Sequence, residues 1–297
     1  MTGGVSAGSS YGSGGSNING NASGNFSIGA NGDDRLYCRF NDMDGFYASL
    51  ANPRSYEAAG FIKAGVVPHH LTAARLISGF FKLCAASPDS YDTIVIVAPN
   101  HAGGVADFVY SRRDWDIFGG VLCDVDFTGA LGRISINGAS VAENDACVER
   151  DHSVSALVPY IGHYLPGVKI VPILVNSSVS ENTTAAFASE LFNIIDASGK
   201  RTLLVCSVDF SHFCDMQKAA RNDQLTEEAI AERNYRLIHK LNDKYLDSPA
   251  SLAIFLRYLD YLGAAAEIVD HTDASEFIGS GVAETTSYFV MTGAWMF

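Results

Sequence analysis

Three stretches of this chain end an apolar, β-branched run with histidine or aspartate, a fourth sets the same residues at a helix start, and that pattern constrains the fold more than any other feature. They are Val66-Val67-Pro68-His69-His70, Ile94-Val95-Ile96-Val97-Ala98-Pro99-Asn100-His101, Arg150-Asp151-His152-Ser153 and Leu203-Leu204-Val205-Cys206-Ser207-Val208-Asp209-Phe210-Ser211-His212. Five of the eight histidines lie in these places. Short continuous apolar runs read as strands buried on both faces of a parallel sheet. Open α/β sheets bind ligands just past the carboxyl ends of their strands. Side chains that follow several such runs are therefore expected to meet in one crevice.

The elements between these runs have the period of a βα repeat. Ala64–Val67 predicts a strand; Leu71, Ala74, Ile77, Phe81 and Cys84 predict an amphipathic helix; and Thr93–Ala98 predicts the next strand. Val154, Leu157, Val158 and Ile161 repeat at helical spacing, with Asp151 or Ser153 placed to cap the start. Lys169–Val175 and Thr202–Ser207 read as further strands, with a helix around Thr184–Ile195 between them. Gln217–Leu241 reads as one long charged helix, and Ser248-Pro249 opens another, because proline suits the first helical turn after a serine cap. Ala265–Val269 and Ser287–Phe297 complete the set as strands. The expected fold is a single α/β domain, residues 34–297, with a central, mostly parallel sheet flanked by helices.

Composition narrows the function. A chain of 297 residues with 47% hydrophobic content can bury a substantial core. A net charge of −13 disfavours nucleic acid, whose phosphates need clustered Lys and Arg. No apolar stretch is long enough to predict a membrane span. The six cysteines lack C-x-x-C spacing, so neither a zinc ribbon nor a disulfide framework is indicated, and Cys84 and Cys206 read as small buried hydrophobes. Residues 1–33 are dominated by Gly, Ser and Asn and contain no Lys or Arg. Such an arm has too few apolar side chains to offset its own ordering entropy, so order in it implies packing on another subunit. A homo-oligomer built through residues 1–33, as a ring or an open filament, is the expected assembly.

Taken in order, Pro68-His69, Ala98-Pro99-Asn100-His101, Asp151-His152-Ser153-Val154 with Leu157-Val158-Pro159-Tyr160, Ile170-Val171-Pro172-Ile173-Leu174-Val175 and Ser207-Val208-Asp209-Phe210-Ser211-His212 resemble the blocks of the Memo family. This family is also called AmmeMemoRadiSam system protein B and is similar in fold to class III extradiol dioxygenases of the LigB type. The resemblance runs from about Gly65 to the C-terminus. It implies a redox metal, iron or copper, held by the two histidines that correspond to His69 and His101, with a cysteine from a later Cys-Gly-x-x-Pro block as third ligand. That block stands here as Tyr245-Leu246-Asp247-Ser248-Pro249, with Tyr245 at the cysteine position. The resemblance also implies AMMECR1-like and radical SAM proteins as partners and a cytoplasmic location, whereas a filament would suit an extracellular one.

Chemistry gives a parallel reading. Two imidazoles and a carboxylate suit a non-haem metal with open positions. His69 and His101 supply the imidazoles, and Asp247 or Asp209 the carboxylate. Asp209 and His212 are expected to support a ligand or take part in catalysis, since a ligating imidazole usually donates its other N–H to a carboxylate. His152, at a helix start, is expected to be a neutral imidazole acting as base or donor to substrate. Plainer readings stand beside these: His70 as a loop cap, Asp247 as a helix-end charge, and Asp209 with His212 as a structural pair. His163, His239 and His271 read as ordinary. Two function classes follow: a metal-dependent oxidoreductase with a dioxygenase-like site, or a non-catalytic polymeric assembly protein that keeps the fold.

Overall fold

The computed structural model describes residues 34–39, 42–58, 60–86, 91–104, 106–136, 138–279 and 283–295. The arm of residues 1–33, with the assembly contacts expected of it, lies outside them. Nine strands form one sheet among the described residues: β1 (Phe61–Val67), β2 (Thr93–Pro99), β3 (Phe108–Tyr110), β4 (Val141–Glu143), β5 (Lys169–Val175), β6 (Thr202–Ser207), β7 (Phe210–Cys214), β8 (Glu267–Asp273) and β9 (Thr285–Trp295). Their order is β4-β3-β5-β2-β6-β1-β9-β7, with β8 also paired to β9. The central strands β5, β2, β6 and β1 are mutually parallel. Antiparallel β9 extends the sheet past β1 and carries β7 and β8.

The two faces of the sheet explain why β2 is apolar from Ile94 to Pro99. Ile94, Ile96 and Ala98 of β2 enter one core, together with Ile77, Phe80, Phe81, Leu157 and Ile161. Val95 and Val97, pointing the other way, enter a second core with Phe187, Leu191, Leu252, Phe255 and Leu259. Strand alternation thus feeds two buried layers, and no position is left for a polar side chain until the strand ends. The helix Ala74–Ala85 comes unusually close to β1, because a Cβ on Gly65 would lie 2.3 Å from the Phe80 ring. That glycine lets a phenylalanine fill the space between helix and strand.

Three expected helices are broken in the structure. The stretch Gln217–Leu241 is two helices, Met216–Ala231 and Tyr235–Ile238. Arg233 adopts a left-handed φ of 54°, and the Asn234 side chain accepts from the Leu237 N–H, so capping chemistry at Asn234 overrides the continuous charge pattern. The run 154–161 is divided into His152–Ser155 and Val158–Tyr164, with Pro159 in the first turn of the second, where its missing N–H costs no hydrogen bond. Before Ala74, Leu71–Ala73 forms a turn of 3-10 helix. Short elements gave too few residues for a period to appear, and β3, β4, β7 and the helices Met43–Ala51 and Val125–Leu131 went unread for that reason.

Candidate metal centre

The carboxyl ends of β1, β2 and β6 lie side by side, with Val67 opposite Ser207 and Val97 opposite Cys206. His69, His101 and Asp209 each follow one of these ends by two residues. The ring centroids of His69 and His101 are 5.3 Å apart, those of His69 and His152 are 5.1 Å apart, and His101 stacks on His152 at 4.1 Å. His69, His70, His101, His152, His212 and Asp247 line a single cleft of about 430 Å³.

His69 is fully buried, and its tautomer can be read from its neighbours. Its Nδ1 lies 3.0 Å from the Ser207 hydroxyl, which donates its only proton to the Ser153 carbonyl at 2.7 Å. Ser207 must therefore accept from Nδ1–H, leaving Nε2 with a lone pair. That lone pair faces Asp247 Oδ2 at 3.2 Å and Asp209 Oδ2 at 3.4 Å. Burial lowers the His69 pKa to about 4, so at neutral pH these contacts are not ion pairs. All three atoms are buried and lack a hydrogen-bond partner. Buried acceptors facing one another are costly unless a positive group lies between them. Donor atoms bound to one metal at about 2.0–2.2 Å are themselves roughly 3–3.6 Å apart, so the spacing fits a cation.

His101 has the same orientation by another route. Its Nδ1 lies 3.0 Å from Asp151 Oδ1, and its backbone N–H donates to Asp151 Oδ2 at 2.8 Å. An ionised carboxylate accepts only, so Nδ1 carries the proton, and in the neutral ring Nε2 carries the lone pair. Burial pushes the Asp151 pKa up, but hydrogen bonds from His101 and Ser153 outweigh it and hold the carboxyl at about 2. Burial likewise opposes protonation of His101, and Asp151 outweighs it, so the His101 pKa is raised. Asp151 also caps His152–Ser155 by accepting from the Ser153 N–H. One carboxylate thus starts a helix and orients an imidazole, as outer partners of metal-ligating histidines do. His152 is held at about 4 by burial first and then by the neighbouring His69 and His101. Its helix is a single turn, so the macrodipole expected from sequence is not needed to explain a neutral ring.

Asp247 sits between two expected roles, and the geometry separates them. The helix Pro249–Leu262 is capped by Ser248, which accepts from the Ser251 N–H, so Asp247 is not its cap. Its backbone N–H donates to the Asp209 carbonyl at 3.1 Å, which turns its carboxylate toward His69. Burial pushes the Asp247 pKa up to about 6. Tyr245 packs against the second core instead of entering the cleft. Asp209 is also buried; its Oδ1 accepts from the His69 backbone N–H at 3.1 Å, and its Oδ2 stays unpartnered. His212 gives Nδ1–H to the Asp243 carbonyl at 3.2 Å.

Several groups at the centre have roles that the sequence did not indicate. Ser207 and Ser153 fix the His69 tautomer, and only the serines beside His152 and Asp209 hinted at them. His70, read as a loop cap, lies at the cleft with its Nδ1 3.6 Å from Asp209 Oδ2 and 3.3 Å from the Tyr288 hydroxyl. Phe213, 75% exposed, forms part of the cleft wall. His163, His239 and His271 lie away from it: His239 bonds Thr184, and His271 pairs with Asp223 and Glu227. All six cysteines are free and buried, and none lines the cleft.

A family model of Memo-like proteins matches residues 43–291. A protein of Desulfurococcus amylolyticus described as a MEMO1 family protein is 25% identical over 227 residues, which cover 74% of this chain and 75% of that one. Another of that description, from Archaeoglobus fulgidus, is 26% identical over 200 residues, 66% of this chain and 74% of its own. Among solved structures, an uncharacterized protein of Escherichia coli K12 is similar with a TM-score of 0.50 and 13% identity, covering 77% of this chain and 99% of that one. That last likeness concerns the fold alone.

Proposed function

The chain belongs to the Memo-like protein family, and on that premise we propose that it binds a divalent transition metal through His69, His101 and Asp247 and acts as a metal-dependent oxidoreductase on a small molecule admitted by the cleft. The observation that carries this reading is the His69 Nε2 lone pair, aimed at two buried carboxylate oxygens that have no other partner. With a carboxylate in place of a thiolate the donor set is hard, which favours iron or another ion of that class over cuprous copper. When bound, such an ion supplies Lewis acidity and, if it is iron, one-electron chemistry at positions left open to the cleft.

The chain's own groups then have distinct tasks. Ser207 and Asp151 each hold one imidazole in the tautomer that points Nε2 inward. Asp209 anchors the His69 backbone and keeps a second oxygen beside the same point. His152, neutral and stacked on His101 at the cleft, is the group placed to take a proton from substrate. Metal analysis of the full chain purified from its native source tests the proposal. About one equivalent or more of a transition metal is expected, and the double substitution His69→Ala and His101→Ala should remove about one equivalent with the fold retained by circular dichroism. Full retention by the folded double variant would sink the assignment.

A further inference from the structure

We propose that the same cleft holds a second divalent cation between His70, Asp209 and His212, so that the centre is dinuclear. This rests on the first ion being held by His69, His101 and Asp247. The donor atoms of His70, Asp209 and His212 all lie within 4.8 Å of one another, as do those of His69, Asp209 and Asp247. The second set meets the first site at Asp209, whose carboxylate also faces His69. Its Oδ1 is already taken by the His69 backbone N–H, but its Oδ2 is fully buried and unpartnered. That oxygen lies 3.4 Å from His69 Nε2 and 3.6 Å from His70 Nδ1, within reach of both groups. A carboxylate oxygen so placed can serve ions on both sides, at the separation of about 3.5–4 Å usual in two-metal sites.

His212 is prepared for the same role. Its Nδ1 proton goes to the Asp243 carbonyl, so in the neutral ring Nε2 carries the lone pair. The residues on either side of it have left-handed backbones, with φ of 32° at Ser211 and 49° at Phe213. Such strain persists only where surroundings impose it. Here the Ser211 N–H donates to the Tyr245 carbonyl at 2.8 Å and its hydroxyl to buried Asp223 at 2.5 Å. The rings of His70 and His212 are held 5.6 Å apart as a result.

Manganese(II) binding to the metal-free full chain, counted by equilibrium dialysis, tests the second site. Two equivalents are expected for the unaltered chain and one for the variant carrying His70→Ala and His212→Ala. A single equivalent, lost with His69→Ala and His101→Ala but kept with His70→Ala and His212→Ala, overturns the second ion and leaves the first reading standing. No binding at all removes both. If the His70/His212 variant does not fold, electron paramagnetic resonance of the unaltered chain decides. The second equivalent should attenuate the six-line signal of the first through exchange coupling. Two independent signals would place the second ion elsewhere and overturn the proposal.

Discussion

Ser207 has one hydroxyl proton, and the Ser153 carbonyl takes it. Everything at His69 follows from that: an Nδ1–H donor, an Nε2 lone pair, and two carboxylate oxygens facing it. Replacing Ser207 with Ala leaves His69 Nδ1 and the Ser153 carbonyl buried without partners. We expect a stability loss of about 1–3 kcal/mol in chemical denaturation. Metal affinity is expected to fall about 10–100-fold, because outer-shell orientation of the ligand is lost; unchanged affinity in calorimetric titration would mean that Ser207 does not set the tautomer. Sequence reasoning reached His69 and His101 because strand ends are visible as apolar runs. It left Asp209 and Asp247 as alternative carboxylates, since choosing between them needs the backbone bond from Asp247 to Asp209. Ser207 was harder still: a serine at the end of a strand has many uses, and only its neighbours in space show which one applies.

At the scale of elements, close approaches and caps decide the geometry. Gly65→Ala would place a methyl group 2.3 Å from the Phe80 ring and 3.0 Å from the Met291 carbonyl. Overpacking of this kind costs about 1–3 kcal/mol, to be measured as a lowered urea midpoint. At the sheet end opposite the cleft, Asp124 caps the helix Val125–Leu131 and accepts from Thr93 of β2 and from Lys200 before β6. Burial alone would raise its pKa, yet the Lys200 ammonium and the Thr93 hydroxyl outweigh burial and hold the carboxyl below its usual range. A depressed carboxylate pKa gives stability that is present above the unfolded value and lost as pH falls through the folded one. The unaltered chain should therefore lose stability on acidification below about pH 4. Lys200→Met should cost about 1.5–3 kcal/mol at pH 7 and flatten the acid limb of melting temperature against pH; an acid limb of the same steepness would show that this pair is not its source. The central strands and the helix after Ser248-Pro249 were legible because burial on two faces and proline capping leave strong local signals. The break at Arg233 was not, because one left-handed residue inside a charged run has no periodicity of its own.

For the whole molecule, the sheet does two things at once. Its apolar strands separate two cores, and their common carboxyl edge gathers five imidazoles and two carboxylates that no single segment could hold. Tyr245 joins the second core, while Asp247 faces His69. In the proposed metal centre Asp247 is the third ligand. No helix among the described residues is long and apolar enough to cross a membrane. The assembly proposed for residues 1–33 is tested by deleting them: light scattering should report a folded, smaller species, and an unchanged assembly state would reduce the arm to a linker. The central claim is the cation at His69, and anomalous diffraction from crystals of natively purified protein, recorded at the edge of the metal found by elemental analysis, addresses it most directly. A peak is expected about 2.0–2.2 Å from His69 Nε2, with His101 and Asp247 as further ligands. A peak bound elsewhere, or a metal-free cleft with Asp247 donating a proton to His69, would contradict it.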